Sequence, residues 1–461
     1  MRKRKLSKAA TPTTLPVVQP NVAGIDIGST KHWVCGPPRP DGVPNVREFG
    51  TTTSELEELV AWLVEQKVAS VAMESTSVYW IPLYELLETQ GIEVKLVNAR
   101  QLHNVPSRKT DVSDCQWLQL LHSCGLLRGS FRPGESIIRM RALQRHASNL
   151  THQRTKFVQW MQKALDQMNV QVHRAVADIT GETGMAIIRD IVQGVREPVR
   201  LAAHRNFRCK KSVEQIGEHL RGNWREEHLF TLKSALTLYD ANEQEFASCQ
   251  AQLLEYAKSL VPPERQDAPV PAHPNLTKAK AIQHRGDAEA RALMWRFAGK
   301  DLTLIDGINT TVAQVVLTEV GANLSAFPTE HHFVSWLRLC PRMAISGGKS
   351  LAPKRNGLGA NRVAAALRMA AVTLRNTKSA LGAAYRRLAR LKGASVAVFA
   401  TARQLAKLVY RMLRHGEDYV DIGQQAYEHR FETQRLLGLT RAAESLGYSL
   451  VRPPSPAPAA T

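Results

Sequence analysis

Cysteine is scarce in this chain, with six residues in 461: Cys35, Cys115, Cys124, Cys209, Cys249 and Cys340. No two form a C-x-x-C pair and none groups with histidine at zinc-ligand spacing, which argues against a zinc site. Scattered single thiols suit a reducing cytoplasm better than a secreted disulfide scaffold. Long apolar runs are missing as well. The longest, such as Gly184–Ile188 and Val363–Ala366, fall far short of the roughly 20 residues that a membrane span needs, so no membrane partner is expected. The basic start, Met1-Arg-Lys-Arg-Lys-Leu-Ser-Lys8, has no apolar segment behind it and reads as a loose arm rather than a signal peptide. Acidic residues are in deficit: 41 Asp+Glu stand against 61 Lys+Arg, a net charge of +20. A polyanion, nucleic acid foremost, would explain that excess, although composition by itself also allows a merely basic protein.

The composition is otherwise that of a protein with packed cores, 44% hydrophobic and 22% charged, and the length implies two or three folded units. Residues 1–20 are expected to be a disordered basic arm. Val22-Ala-Gly-Ile-Asp-Ile-Gly28 reads as a buried strand, His32–Cys35 as its hairpin partner and Val46–Thr51 as a third strand. Ser54 with Glu57 makes a capping box for a helix reaching about Gln66, with Leu56, Leu59, Val60 and Leu63 as its apolar stripe. Strands at Val71–Met73 and Val94–Val97 and helices at Tyr79–Thr89 and Asp111–Leu121 complete a β-β-β-α-β-α-β-α order. The expected class is therefore α/β, a mixed sheet of ribonuclease-H type over 21–132, followed by all-α regions.

Beyond it, 133–262 is a helical or coiled-coil region, carried by Met140–Met168 and Glu226–Leu260. The proline-containing stretch 263–300 reads as a linker. A mainly helical domain follows over 301–422, then a terminal helix and disordered tail over 423–461. The turn Asp306-Gly-Ile-Asn309 resembles a helix-hairpin-helix, with Asn309 able to take a left-handed conformation.

Four acids stand out. Asp26 lies between Ile25 and Ile27 in an apolar strand, and Glu74 ends the apolar run Val71-Ala-Met. Asp111 and Asp114, three apart at a helix start, share one face. Each alone reads as a cap or a surface charge. In a sheet of this order, however, the first strand, the fourth strand and the last helix bring all four together. Clustered carboxylates need cations, and oxygen ligands select Mg2+ or Mn2+. Two such ions roughly 4 Å apart serve phosphoryl transfer.

Gly24-Ile-Asp-Ile-Gly28, Met73-Glu-Ser-Thr-Ser-Val-Tyr-Trp80, Val97-Asn98 and Arg108-Lys-Thr-Asp-Val-Ser-Asp114 resemble the N-terminal motifs of DEDD-type insertion-sequence transposases, whose first domain is similar to the Holliday-junction resolvase RuvC. The resemblance resumes at Ile305-Asp-Gly-Ile308, Phe333-Val-Ser-Trp-Leu-Arg-Leu-Cys-Pro341, Ile345-Ser-Gly-Gly-Lys349 and Gly359-Ala-Asn-Arg-Val-Ala-Ala-Ala-Leu-Arg368. It implies that Asp26, Glu74, Asp111 and Asp114 are the catalytic, metal-binding acids. It also implies a covalent protein–DNA intermediate on a serine that matches Ser346. Lys349, Lys354, Arg355 and Arg362 would hold the DNA strand. An ordinary turn serine is the alternative for Ser346, and Ser350 is a neighbouring candidate. A P-loop is excluded because Met343 stands where its first glycine is required. No Arg/His constellation can be assembled around Tyr385, Tyr410 or Tyr419 to make a tyrosine recombinase.

The expectation is thus a transposase that cuts and rejoins element ends and target DNA. The resemblance further implies a homo-oligomer, a structured guide RNA as in the bridge recombinases, and a place in the bacterial cytoplasm or nucleoid. The alternative is a RuvC-like endonuclease that hydrolyses DNA without a covalent intermediate.

Overall fold

The computed structural model describes residues 16–39, 43–98, 111–340, 344–346, 349–351 and 361–451, with the backbone alone for 111–113, 344–346 and 349–351. The chain divides into two compact units, Met1–Arg132 and Pro133–Thr461.

In the first unit, β1 (Val22–Ile27), β2 (His32–Cys35) and β3 (Val46–Phe49) form an antiparallel meander. The chain then alternates through α1 (Thr53–Glu65), β4 (Ser70–Glu74), α2 (Trp80–Thr89), β5 (Glu93–Val97) and α3 (Asp111–Ser123). The sheet order is β3-β2-β1-β4-β5, with β1, β4 and β5 mutually parallel. This is the mixed sheet expected of a ribonuclease-H-like domain.

Alternation sorts the strand residues onto two faces. Ala23, Ile25, Ile27, Val71 and Met73 turn toward Leu56, Leu59, Leu63, Leu83 and Leu87 of α1 and α2. On the opposite face Ala72 and Val97 meet Leu118 of α3 and Leu127. The capping box of α1 sits two residues earlier than the sequence suggested. The Glu55 carboxylate accepts from the Thr52 backbone N–H at 3.0 Å and from its hydroxyl at 2.6 Å. Both Thr52-x-x-Glu55 and Ser54-x-x-Glu57 fit the pattern, and the helix starts at the first residue leaving the extended conformation of Thr52, ψ 156°.

Residues 16–20 of the expected disordered arm are ordered. The Val18 and Gln19 amides donate to the Ser123 carbonyl at 2.8 and 2.9 Å, satisfying the C-terminal end of α3. Residues 1–15 lie outside the described residues, as do 452–461 of the expected tail.

In the second unit, α4 (Glu135–Gln167) and α9 (Glu226–Ser259) run antiparallel along each other, each about 50 Å long. Met140 packs with Leu253 and Ala257, and Arg154 pairs with Glu243 at 3.0 Å. Their apolar stripes cover one another within the chain. Between them α5 (Val172–Ala175), α6 (Glu182–Val192), α7 (Pro198–Ala202) and α8 (Val213–His219) close a core around Met161, Leu165, Ile188 and Leu236.

The stretch read as a linker contains two helices, α10 (Leu276–His284) and α11 (Ala288–Ala298). Leu293 of α11 is buried with Leu253 and Ala257, so this stretch contributes to the core instead of connecting two bodies. Then come α12 (Thr310–Val320), α13 (Glu330–Trp336), a hairpin of β6 (Ala344–Ser346) and β7 (Lys349–Leu351), α14 (Arg362–Thr373), α15 (Ala380–Lys392), α16 (Ala394–His415) and α17 (Gly423–Ser445). Among the described residues no helix is long and apolar enough to cross a membrane.

Candidate carboxylate site and serine hairpin

Register places the first two acids. The last paired residues of β1 and β4 are Ile25 and Met73, so Asp26 and Glu74 are the next step on neighbouring parallel strands, which lie about 4.8 Å apart. Both have the parity of Gly24 and Ala72 and therefore face α3.

Three contacts fix the run of α3 across that face. His122 Nε2 is 2.9 Å from the Ser70 hydroxyl at the start of β4. Gln119 Nε2 is 3.5 Å from the Val22 carbonyl at the start of β1. Cys115 lies over Gly24, where a Cβ would come within 2.4 Å of the Cys115 carbonyl and 2.3 Å of the Gln119 nitrogen. The helix therefore runs against the strands, and its N-terminal end arrives where Asp26 and Glu74 leave the sheet. Five residues of helix separate Gln119 from Asp114, about 7 Å, which matches two residues of strand. Asp114 is thus level with the Gly24–Asp26 segment, and Asp111 starts the helix almost one turn earlier.

Asp26 is close enough to Cys115 for its charge to act on the thiol. Burial first, then Cys35 and Asp26, push the Cys115 thiol up to about 12, so it stays protonated and serves packing. Asp26, Glu74 and Asp114 are all half-buried. No ion pair among the described residues involves Glu74 or Asp114. The donor set is all carboxylate oxygen, the chemistry that suits Mg2+ or Mn2+. Among the described residues no three acidic, His or Cys side chains lie close enough to hold an ion by themselves. The side chain of Asp111, the fourth of the expected acids, lies outside the described residues.

Comparison with known families identifies two matching regions. The family of DEDD-type IS110 transposases matches residues 23–170, and the transposase family of IS116, IS110 and IS902 matches residues 299–386. The chain belongs to the IS110-type transposases. No curated protein matches it. The transposase is accordingly a DNA-cutting and DNA-joining enzyme with DNA as its substrate.

In the second unit of the transposase, Ser346 ends β6 and pairs across the hairpin with Lys349, the first residue of β7. Lys354 and Arg355 lie outside the described residues. Arg362, the first residue of α14, is directed at Glu319, 3.9 Å from its carboxylate, and shares that acid with Arg141 and Arg145 of α4. The Asp306 turn differs from expectation. Gly307 takes the left-handed conformation at φ +86°, but Asn309 is extended at φ −100° and caps α12, its side chain accepting from the Val312 amide at 2.9 Å. Asp306 is engaged by the Tyr419 hydroxyl at 3.2 Å and by Lys278 at 3.2 Å. The Tyr410 hydroxyl donates to the Phe327 carbonyl at 2.8 Å inside the core, and Tyr385 is buried too. Tyr79 is exposed, while Trp80 packs edge-on against Tyr84 at 5.6 Å beneath Arg132.

Sequence reasoning passed over Gly24 as a determinant of the site. The available signal was a glycine two residues before an acid in a strand, hence on the same face. It also passed over Cys115, one residue after Asp114 and pointing inward.

Proposed function

We propose that the transposase cuts and rejoins DNA through two sets of groups: the acids Asp26, Glu74, Asp111 and Asp114, and the serine Ser346. The observation that carries this reading is the close seat of α3 on Gly24, which delivers the helix start to the ends of β1 and β4. The four acids would hold Mg2+ or Mn2+; when bound, such ions stabilise charge on a phosphodiester undergoing displacement. The chain's own acids would supply the oxygen ligands that hold such ions beside the strand being cut. Ser346 supplies the hydroxyl that attacks phosphorus. Its proton leaves to a base, the serine–phosphate bond forms, and one deoxyribose oxygen departs carrying the proton. Attack by a deoxyribose hydroxyl on the same phosphorus reverses the exchange and releases the serine. Lys349, Lys354 and Arg355 neutralise the strand beside Ser346. An RNA partner and an oligomer belong to the same reading and rest on the resemblance of the motifs.

Labelled donor DNA incubated with the transposase and Mg2+ or Mn2+ tests the proposal. A denaturation-resistant protein–DNA adduct that Ser346→Ala abolishes, and that Asp26→Asn or Glu74→Gln reduces at least 100-fold, is the expected result. Hydrolysed DNA with no adduct would instead support a RuvC-like endonuclease. An adduct that persists in Ser346→Ala would move the nucleophile elsewhere, Ser350 first.

A further inference from the structure

The basic run Arg386-Arg-Leu-Ala-Arg-Leu-Lys392 on α15 takes no part in the chemistry above, and it is not a uniformly solvated face. Arg386 is half-buried and fixed in place. Its guanidinium donates to the carbonyls of Arg375 at 3.1 Å and Thr377 at 2.6 Å, and to the Gln424 side-chain oxygen at 2.8 Å. Arg390, about one turn further along α15, and Arg375, in the 3-10 turn after α14, are both exposed. Among the described residues no carboxylate pairs with either. All three arginines bound a cavity of about 570 Å³ whose wall includes Ala394, Gln424 and Glu428. Glu428 is the one acid there, and it accepts from the Gln424 amide at 2.8 Å.

Ala394 adds a second source of positive potential. It opens the 22-residue helix α16, whose cap is Gly393, a residue with no side chain to accept from the first-turn amides. Three guanidinium groups and a helix start thus face one cavity, against a single carboxylate already engaged by an amide. Tyr385, the aromatic residue in the wall, is buried and offers no face for a base to stack on. The lining therefore suits a charged group without a base.

We propose that this cavity is a phosphodiester-binding site, in which Arg375 and Arg390 grip a backbone phosphate of nucleic acid above the floor set by Arg386. The contact is sequence-independent and positions a strand without reading it. The proposal rests on the partner being nucleic acid and on neither the four acids nor Ser346.

Full-length protein is titrated with labelled single-stranded DNA, duplex DNA, single-stranded RNA and duplex RNA over a series of salt concentrations. Arg375→Gln combined with Arg390→Gln should weaken binding about tenfold at physiological salt and flatten the log–log salt slope by about 1, the share of the one phosphate they hold. The probe that suffers identifies which nucleic acid fills the site. Ala394→Glu is the second variant: a carboxylate in the first turn favours the helix but occupies the anion position. It should melt at or above the wild-type temperature and lose affinity in the same way. Unchanged affinity and slope on every probe overturns the proposal, as does wild-type-like binding by Ala394→Glu where the double variant fails to fold.

Discussion

Gly24 of β1 and Cys115 of α3 meet with no room for a side chain between them: a Cβ at residue 24 would lie 2.4 Å from the Cys115 carbonyl oxygen. Backbone on both sides means that neither partner can rotate away. Gly24→Ala must therefore lift α3 from the sheet, at a cost of about 1–3 kcal/mol from overpacking. Because α3 carries Asp111 and Asp114, the same displacement separates them from Asp26 and Glu74. Urea unfolding should show the loss of stability, and strand cleavage should fall by more than the folded fraction does. Full cleavage by a folded Gly24→Ala protein would dissociate the close packing from the chemistry.

The acids themselves should behave in the opposite way. Carboxylates that converge as proposed repel each other when no cation is present, so Glu74→Gln or Asp114→Asn should leave the metal-free melting temperature unchanged or raise it. Added Mg2+ or Mn2+ should stabilise the wild type in proportion to saturation and stabilise these variants far less. Differential scanning fluorimetry with a metal titration checks both halves. Equal metal-induced shifts in wild type and variants would remove the carboxylates as the binding site.

A second anchor of α3 is sensitive to pH. His122 is buried, bonded through Nε2 to Ser70 at 2.9 Å, and burial followed by the nearby Lys95 lowers its pKa to about 4. The unfolded chain, with an ordinary imidazole near 6.5, binds the proton more readily than the folded one. The stability from neutral His122 is thus complete above pH 6.5, declines as pH falls, and is exhausted near pH 4, on the order of 3 kcal/mol in all. His122→Gln should flatten the stability profile between pH 6.5 and 4. A profile of unchanged slope would assign the acid sensitivity to other groups.

Much of the first unit was legible because its elements alternate regularly and its acids interrupt apolar strands, two signals that depend on nearest neighbours. Asp26 and Glu74 stand out as candidates in that way. What was not legible depended on which residue lies opposite another. Gly24 looks like any strand glycine until α3 is laid over it. The stretch 263–300 carries prolines at its start, and these hid the helix whose Leu293 joins the core made by Met140 and Leu253. Asn309 was weighed as a left-handed residue, yet an asparagine three residues before a free amide caps a helix equally well, and the Val312 amide decided the matter. Arg362 reads as a cation for the DNA strand, because the acid it approaches, Glu319, is 43 residues away in sequence.

Glu319 itself supports the last prediction. It lies on α12, is 4% exposed, and is met by three arginines from two other helices. Arg145 grips it with two hydrogen bonds of 2.9 and 2.8 Å, Arg141 approaches to 3.2 Å, and Arg362 stands at 3.9 Å. Removing the acid's charge leaves these guanidinium groups facing one another across a buried carboxamide. Breaking one side of a buried ion pair typically costs about 3–5 kcal/mol, and the half-exposed side chain of Arg145 places this case toward the lower end. Glu319→Gln should therefore lower the unfolding free energy by about 3 kcal/mol. Adding Arg145→Met should cost much less in that background than in the wild type, with a coupling of about 1–3 kcal/mol in a double-mutant cycle. Additive effects of the two substitutions would mean that α4 and α12 are held by their apolar contacts, with Glu319 a bystander.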